Sequence, residues 1–203
     1  MPQPFDNAVM TNEGASLLNK AQLGKAFIEF TRVATGSGTY SEDERTVEAL
    51  QERTGLKDQR NAYPISSAEI NTKYSVKISA LISNQDPVTG ETLITDGYYI
   101  NEIGLFAKPK DGDDSEEVLY SIAVTSGDHG DFMPAYNGSS PAQITQEYYA
   151  TVNNSSEITI KTAGAALLAE DANIIRDDTT NERYKLGVDN GLLYVEKIGN
   201  DTD

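Results

Sequence analysis

The chain has 203 residues, a mass of 22.0 kDa, a formal charge of −16 and no cysteine. That length suits one full domain, or one domain with a small appendage, and 38 % apolar residues allow a sizeable core. Without cysteine, disulfides, thiol nucleophiles and thiolate metal sites are excluded, and a strongly acidic chain with no basic patch repels nucleic acid and anionic lipid.

The N-terminus "MPQPFDNAVM" lacks the basic start and apolar run of a signal peptide. No apolar stretch reaches transmembrane length, so cytoplasmic synthesis without membrane insertion is expected. "TNEGASLLNKAQLG" predicts a helix over about 13–23, capped by Thr11 or Asn12 and ended at Gly24, with Leu17, Leu18 and Ala21 on one side. "KAFIEFTRVATGSG" predicts a strand with Ala26, Ile28 and Phe30 on one face and Phe27 and Val33 on the other, running into the turn "TGSGTY". Ser41 and Glu44 form a capping-box pattern, which predicts a helix over about 42–53 that buries Val47 and Leu50. The segment that follows contains Pro64 and is expected to be irregular or edge-like.

"KYSVKISALIS" is the clearest strand, with Tyr74, Val76, Ile78, Ala80 and Ile82 sharing a face. Further strands are expected in "LITDGYYINEIGLFA", "EEVLYSIAV", "AQITQEYYATVNN" and "SEITIK". They are separated by the turn "NQDPVTGET", the acidic loop "KPKDGDDSEE" and a long Gly/Ser-rich loop over 125–141. "AGAALLAEDAN" marks a change of composition, either a short helix or a linker. "ERYKLGVDNGLLYVEKIG" then alternates through Tyr184, Leu186 and Val188, turns at Asp189-Asn190-Gly191 and returns from Leu192 to Ile198. A lone hairpin is marginal in water, so this one needs a partner surface. Together these elements predict an α+β chain. Its body is a mainly antiparallel β-sheet domain with two N-terminal helices, followed by a C-terminal β-hairpin module.

Residues suited to chemistry are few. His129 is the only histidine and sits in the Gly-rich acidic stretch "SGDHGDF", where a solvated role is the simplest reading. "DGDDSEE", residues 111–117, has no glycine or helix in the place an EF-hand loop needs, so a charged, solubilising loop is the simpler reading and a loosely bound cation the rival one. "TGSGT", residues 35–39, has no lysine placed to reach a phosphate, and Glu42-Asp43-Glu44 suits a helix start. No catalytic residue, cofactor or metal is expected. Tyrosine stands out, with 11 residues against no tryptophan. The pairs Tyr98-Tyr99 and Tyr148-Tyr149 place an aromatic on both sides of their strands, as a subunit in an assembly would. The rival reading is a carbohydrate- or surface-binding module that stacks sugars on Tyr136, Tyr148 and Tyr149.

The stretch "YYINEIGLFAKP", residues 98–109, sets the polar pair Asn101-Glu102 and Gly104 where a strand should be apolar. A catalytic site, a cation loop or a structural corner would each explain it. Together with "MTNEGASLLNKAQLGKAFIEFTRVATGSG" it resembles the N-terminal tail-collar fibre domain of contractile phage tails and tail-like particles. The resemblance rests on Thr11, Asn12, Phe30, Thr31, Arg32 and Gly36 in the first segment, and on Glu102, Ile103, Gly104, Leu105 and Phe106 in the second. Asn101 stands where the family more often carries arginine.

The resemblance covers about residues 8–160 and implies an attachment domain over 1–162, a linker over 163–182 and a hairpin module over 183–203. It implies a non-enzymatic virion structural protein that joins a distal fibre or receptor-binding protein to a baseplate, in a virion tail or a bacteriocin-like particle. A homo-oligomer, a trimer in particular, is expected, with Tyr99, Tyr149, Leu186, Val188, Leu192 and Tyr194 as interface candidates. Within such a domain Gly104 would allow a close approach. Glu102 would accept hydrogen bonds from Arg32 or from backbone amides. Ile103 and Leu105 would face the core, with Phe106 in the opposite layer.

Overall fold

The computed structural model describes residues 4–72, 75–151, 158–160, 174–176, 180, 182–189 and 192–198. The chain divides into two units, Met1–Ala166 and Leu167–Asp203.

The first unit is mainly antiparallel β-sheet with two short α-helices. Helix α1 (Asn12–Gln22) starts where Thr11 turns extended and its hydroxyl accepts the Gly14 N–H at 3.0 Å. Leu17 and Ala21 are its buried stripe, and Gly24 follows its end at φ +66°. The expected second helix is shorter and broken. Ser41 and Glu44 do form the capping box, with Ser41 N–H donating to Glu44 at 2.9 Å and Glu44 N–H to Ser41 Oγ at 3.4 Å. They cap only a 3-10 turn, Asp43–Arg45. Thr46 then turns extended and caps α2 (Val47–Gln51) by accepting the Ala49 N–H at 3.2 Å. A threonine that bonds its own downstream amide competes with helix continuation. Leu50 is buried as expected; Val47, at the start of the new helix, is 53 % exposed.

The main sheet contains β1 (Val9–Met10), β2 (Ile28–Gly36), β3 (Gln59–Thr72), β4 (Ser75–Ser83), β6 (Glu102–Pro109), β7 (Val118–Val124) and β9 (Gln143–Thr151), in the order β1-β7-β6-β2-β3-β4-β9. β10 (Ile158–Ile160) pairs parallel with the start of β2, Ile158 opposite Ile28. β5 (Tyr98–Ile100) and β8 (Asp131–Met133) form a separate two-stranded sheet.

Two features depart from simple alternation. Against β6, Phe30 pairs with Ala107 and Arg32 with Phe106, so Thr31 is an extra residue in β2. A one-residue bulge reverses which face later side chains take. Val33 therefore joins Ile28 and Phe30 in the same cluster, not the opposite face, and Ala34 joins the other one. The second departure is β3, a 14-residue strand that contains Pro64 where irregular chain was expected. Pro64 is where β3 changes partner: Pro64 pairs with Arg32 of β2, and Ile65 pairs with Ala80 of β4. A proline that donates no ladder bond fits where one pairing ends and the next begins.

Both faces of the central strands are buried. One cluster collects Leu17 and Ala21 of α1 with Ile28, Phe30, Val33, Ile65, Ile78, Ile82, Ile103, Leu105 and Tyr148. Phe30 and Tyr120 meet there edge to face, with ring centres 5.1 Å apart. The other cluster places Ala34, Phe106, Leu119, Ile122 and Val124 under Tyr40 and Leu50.

The second unit is a three-stranded antiparallel sheet, β11 (Ile174–Arg176), β12 (Arg183–Asp189) and β13 (Leu192–Ile198), in that order. The expected hairpin is β12–β13. β11 lies inside the segment read as a linker, where three residues are too few for any hydrophobic period to declare a strand.

Candidate functional site

The polar pair at the end of β5 is the best-defined polar centre of the first unit. Asn101 is the single residue between β5 and β6, and Glu102 opens β6. Glu102 is fully buried, at 0 % exposure. Its carboxylate accepts the backbone N–H groups of Lys57 at 2.7 Å, Asp58 at 2.7 Å and Gly38 at 3.1 Å, and the Tyr40 hydroxyl. One side chain thus ties the 36–40 turn and the segment after α2 to the head of β6. Burial, reinforced by the bond to Glu102, holds the Tyr40 phenol well above its ordinary pKa, which keeps it a donor. The turn fits because Gly36 and Gly38 have no side chain: a Cβ on either would run into the Glu102 carboxylate.

Asn101 faces the other way. Its backbone N–H donates to Gly36 O at 2.9 Å and its side-chain amide to Ser37 O at 3.2 Å. Its Oδ1 accepts Gly130 N–H at 3.0 Å, and its carbonyl accepts Thr125 N–H at 2.9 Å. Every group on this buried pair has a backbone partner, so the arrangement is a structural corner. No donor or acceptor is left aimed at an open cleft.

Arg32 does not reach Glu102. It pairs with Glu117, Nη2 to Oε2 at 2.7 Å and Nε to Oε2 at 2.9 Å, while Thr31 Oγ1 donates to Glu117 Oε1 at 2.5 Å. Its guanidinium lies 3.7 Å above the Phe106 ring. The register of β2 against β6 sets this partner. Arg32 sits opposite Phe106, four residues from Glu102 along β6, while Gly36 sits opposite Glu102. The other residues behind the resemblance lie at the start of α1 and in β2 and β6. Thr11 caps α1 and also bonds the Leu119 carbonyl, Asn12 is exposed in the first turn, and Phe30 is core. Ile103 and Leu105 face one cluster and Phe106 the other. A Cβ on Gly104 would meet Leu119 at 2.8 Å and Leu56 at 3.0 Å, which is the close approach expected of it. Tyr40, Lys57, Asp58 and Glu117 carry much of this centre and are missing from the sequence reading. They act through backbone amides or across chain separations that no local spacing reveals.

The interface candidates divide. Tyr99 and Tyr149 are exposed, but Tyr148 is only 5 % exposed and points into the core, so Tyr136, Tyr148 and Tyr149 do not form one stacking platform. In β13, Leu192 and Leu193 are 74 % and 72 % exposed, and Tyr194 and Val195 are exposed beside them. Tyr194 covers Gly187 across the hairpin, and Val188 pairs with Leu193. Leu186 is half-buried.

His129 is exposed beside Asp128 and Tyr99. The acidic loop is internally satisfied. Asp113 accepts Ser115 N–H at 2.8 Å and caps a short 3-10 turn, while Lys108 pairs with Asp114 at 2.9 Å. Among the described residues no three His, Cys, Asp or Glu side chains are grouped to hold a metal ion, and no helix is long and apolar enough to cross a membrane. Comparison with protein-family models, curated proteins and solved structures gave no match.

Proposed function

We propose that the protein is a structural connector. It attaches a tail fibre or receptor-binding protein to the baseplate of a contractile phage tail or a tail-like particle, and its first unit is a tail-collar-fibre-like domain. The observation that carries this reading is the pairing of the two segments on which the resemblance rests. They are adjacent strands in register, with Gly36 opposite Glu102, Ala34 opposite Gly104 and Arg32 opposite Phe106. Segments 66 residues apart in sequence thus contribute to one built corner.

A connector also needs surfaces that are completed by other chains. The apolar run Leu192–Val195 and the exposed Tyr99 and Tyr149 are such surfaces. A homotrimer bridging baseplate and fibre would use the apolar run and Tyr149, leaving Tyr99 to a different chain. The acidic surface, at −16 per chain, then favours partners that carry basic patches. Light scattering across protein concentration and salt tests the oligomer, and pull-down with a purified baseplate tests attachment. A strict monomer under every condition that also fails to bind baseplate defeats the proposal.

A further inference from the structure

We infer that Tyr99, Phe132 and His129 form a preorganised docking patch for an arginine- or lysine-bearing segment of a partner protein. This goes beyond the connector reading and does not depend on it. Tyr99 and Phe132 are direct cross-strand neighbours on the outward face of the β5–β8 sheet, whose inward face buries Tyr98, Ile100 and Met133. Both rings are exposed, Phe132 at 53 %. The Tyr99 ring centre lies 5.1 Å from Phe132 and 5.0 Å from His129.

The patch is held in place from beneath. Phe132 lies over Gly97, where a Cβ would meet the ring at 2.8 Å. Gly130 packs on the Ile100 carbonyl so closely that a Cβ would collide with it, and its N–H is bonded to buried Asn101. The corner that joins β5 to β6 therefore also fixes the loop carrying His129 and Phe132.

Charge and ring geometry select the occupant. Residues 93–101 and 125–137, which supply the rings, contain no lysine or arginine, and the exposed Asp128 carboxylate sits against the His129 ring. Aromatic faces beside carboxylates attract a cation, and arginine can stack as well as pair. A second copy meeting this patch with its own would set Asp128 against Asp128, so a different, basic partner fits better. The rings are tilted by 58° and 62°, which breaks the flat surface that a sugar face would stack on.

The test uses the full-length protein with labelled tyrosine and phenylalanine rings, titrated by NMR with acetyl-Gly-Arg-Gly-Arg-Gly-amide. The same peptide with glutamate in place of arginine, and cellotriose, serve as separate arms. The arginine peptide should shift the Tyr99 and Phe132 ring signals, and Phe132→Ala should weaken it about two- to five-fold. Asp128→Asn, which leaves the rings intact, should weaken it several-fold and keeps the test valid if Phe132→Ala disturbs folding. Equal affinity in the wild type and both variants would reduce the effect to a diffuse acidic field and overturn the inference. Ring shifts caused by cellotriose and not by the arginine peptide would overturn it in favour of a glycan.

Discussion

The two units handle apolar residues in opposite ways. In the first, β6 is buried on both faces: Ile103, Leu105 and Ala107 enter one cluster and Phe106 the other. In the second, β13 leaves four consecutive large apolar residues, Leu192 to Val195, exposed. A strand buried on both faces belongs to a finished core. A strand exposed on both faces stays marginal until something covers it. The contrast separates a strand that is covered within its own unit from one that is not.

The sharpest way to break this comparison is to cut into the core. Phe30→Ala and Phe106→Ala should each cost about 3–5 kcal/mol, because each removes a buried aromatic and leaves a cavity, one on either side of the sheet. Thermal or denaturant melts measure this, and two unchanged melts would refute the two-faced core. Glu102→Ala should cost about 3 kcal/mol, since it strands three backbone N–H groups and the Tyr40 hydroxyl away from their acceptor. Glu102→Gln should lose less, and Arg32→Lys should leave both the corner and most of the stability intact.

Smaller effects belong to the second unit. Every described residue of the two core clusters precedes position 151, so deleting 167–203 should leave the first unit's melt in place. A collapse of the whole protein on that deletion would join the two units into one core. Leu193→Ser should change the stability of the isolated chain by no more than about 0.5 kcal/mol, as an exposed substitution does, while reducing self-association in light scattering.

The smallest effect is a pH response. The Lys57 ammonium, together with the Ser41 N–H, lowers the Glu44 pKa from its ordinary 4.5 to about 2. The folded state thus favours the ionised form. The contribution is complete above pH 4.5 and is lost as pH falls towards 2. Glu44→Gln should flatten a small part of the acid slope in melts recorded over that window. An unchanged slope would show that the exposed pair is screened out.

Much of this was legible in the sequence, and the failures have local causes. Thr11, Leu17 and Ala21 announced α1 because a cap and a helical period coincide. Val76, Ile78, Ala80 and Ile82 announced β4 because nothing interrupts their alternation. The run from Phe30 to Val33 misled because a bulge inserts a residue without changing composition. Pro64 misled because the rule against proline in sheets assumes a strand with one continuous partner on each side. That Glu102 accepts from backbone amides was legible as one of two alternatives, but which amides was not, since a backbone amide carries no residue identity. The exposed pair Tyr99–Phe132 depended on register between β5 and β8, which no single segment contains.

The parallel pairing of β10 with β2 also sets an order in time. Ile28 is among the first strand residues made, yet its partner Ile158 lies 130 positions later. At roughly 5–20 residues per second of synthesis, that strand waits about 6–26 s for its neighbour. During that wait the nascent chain presents an open strand segment to the cell, and one of the first strands made is among the last to be closed. Ribosome-bound chains halted before and after residue 160 should therefore differ in how strongly they retain a chaperone.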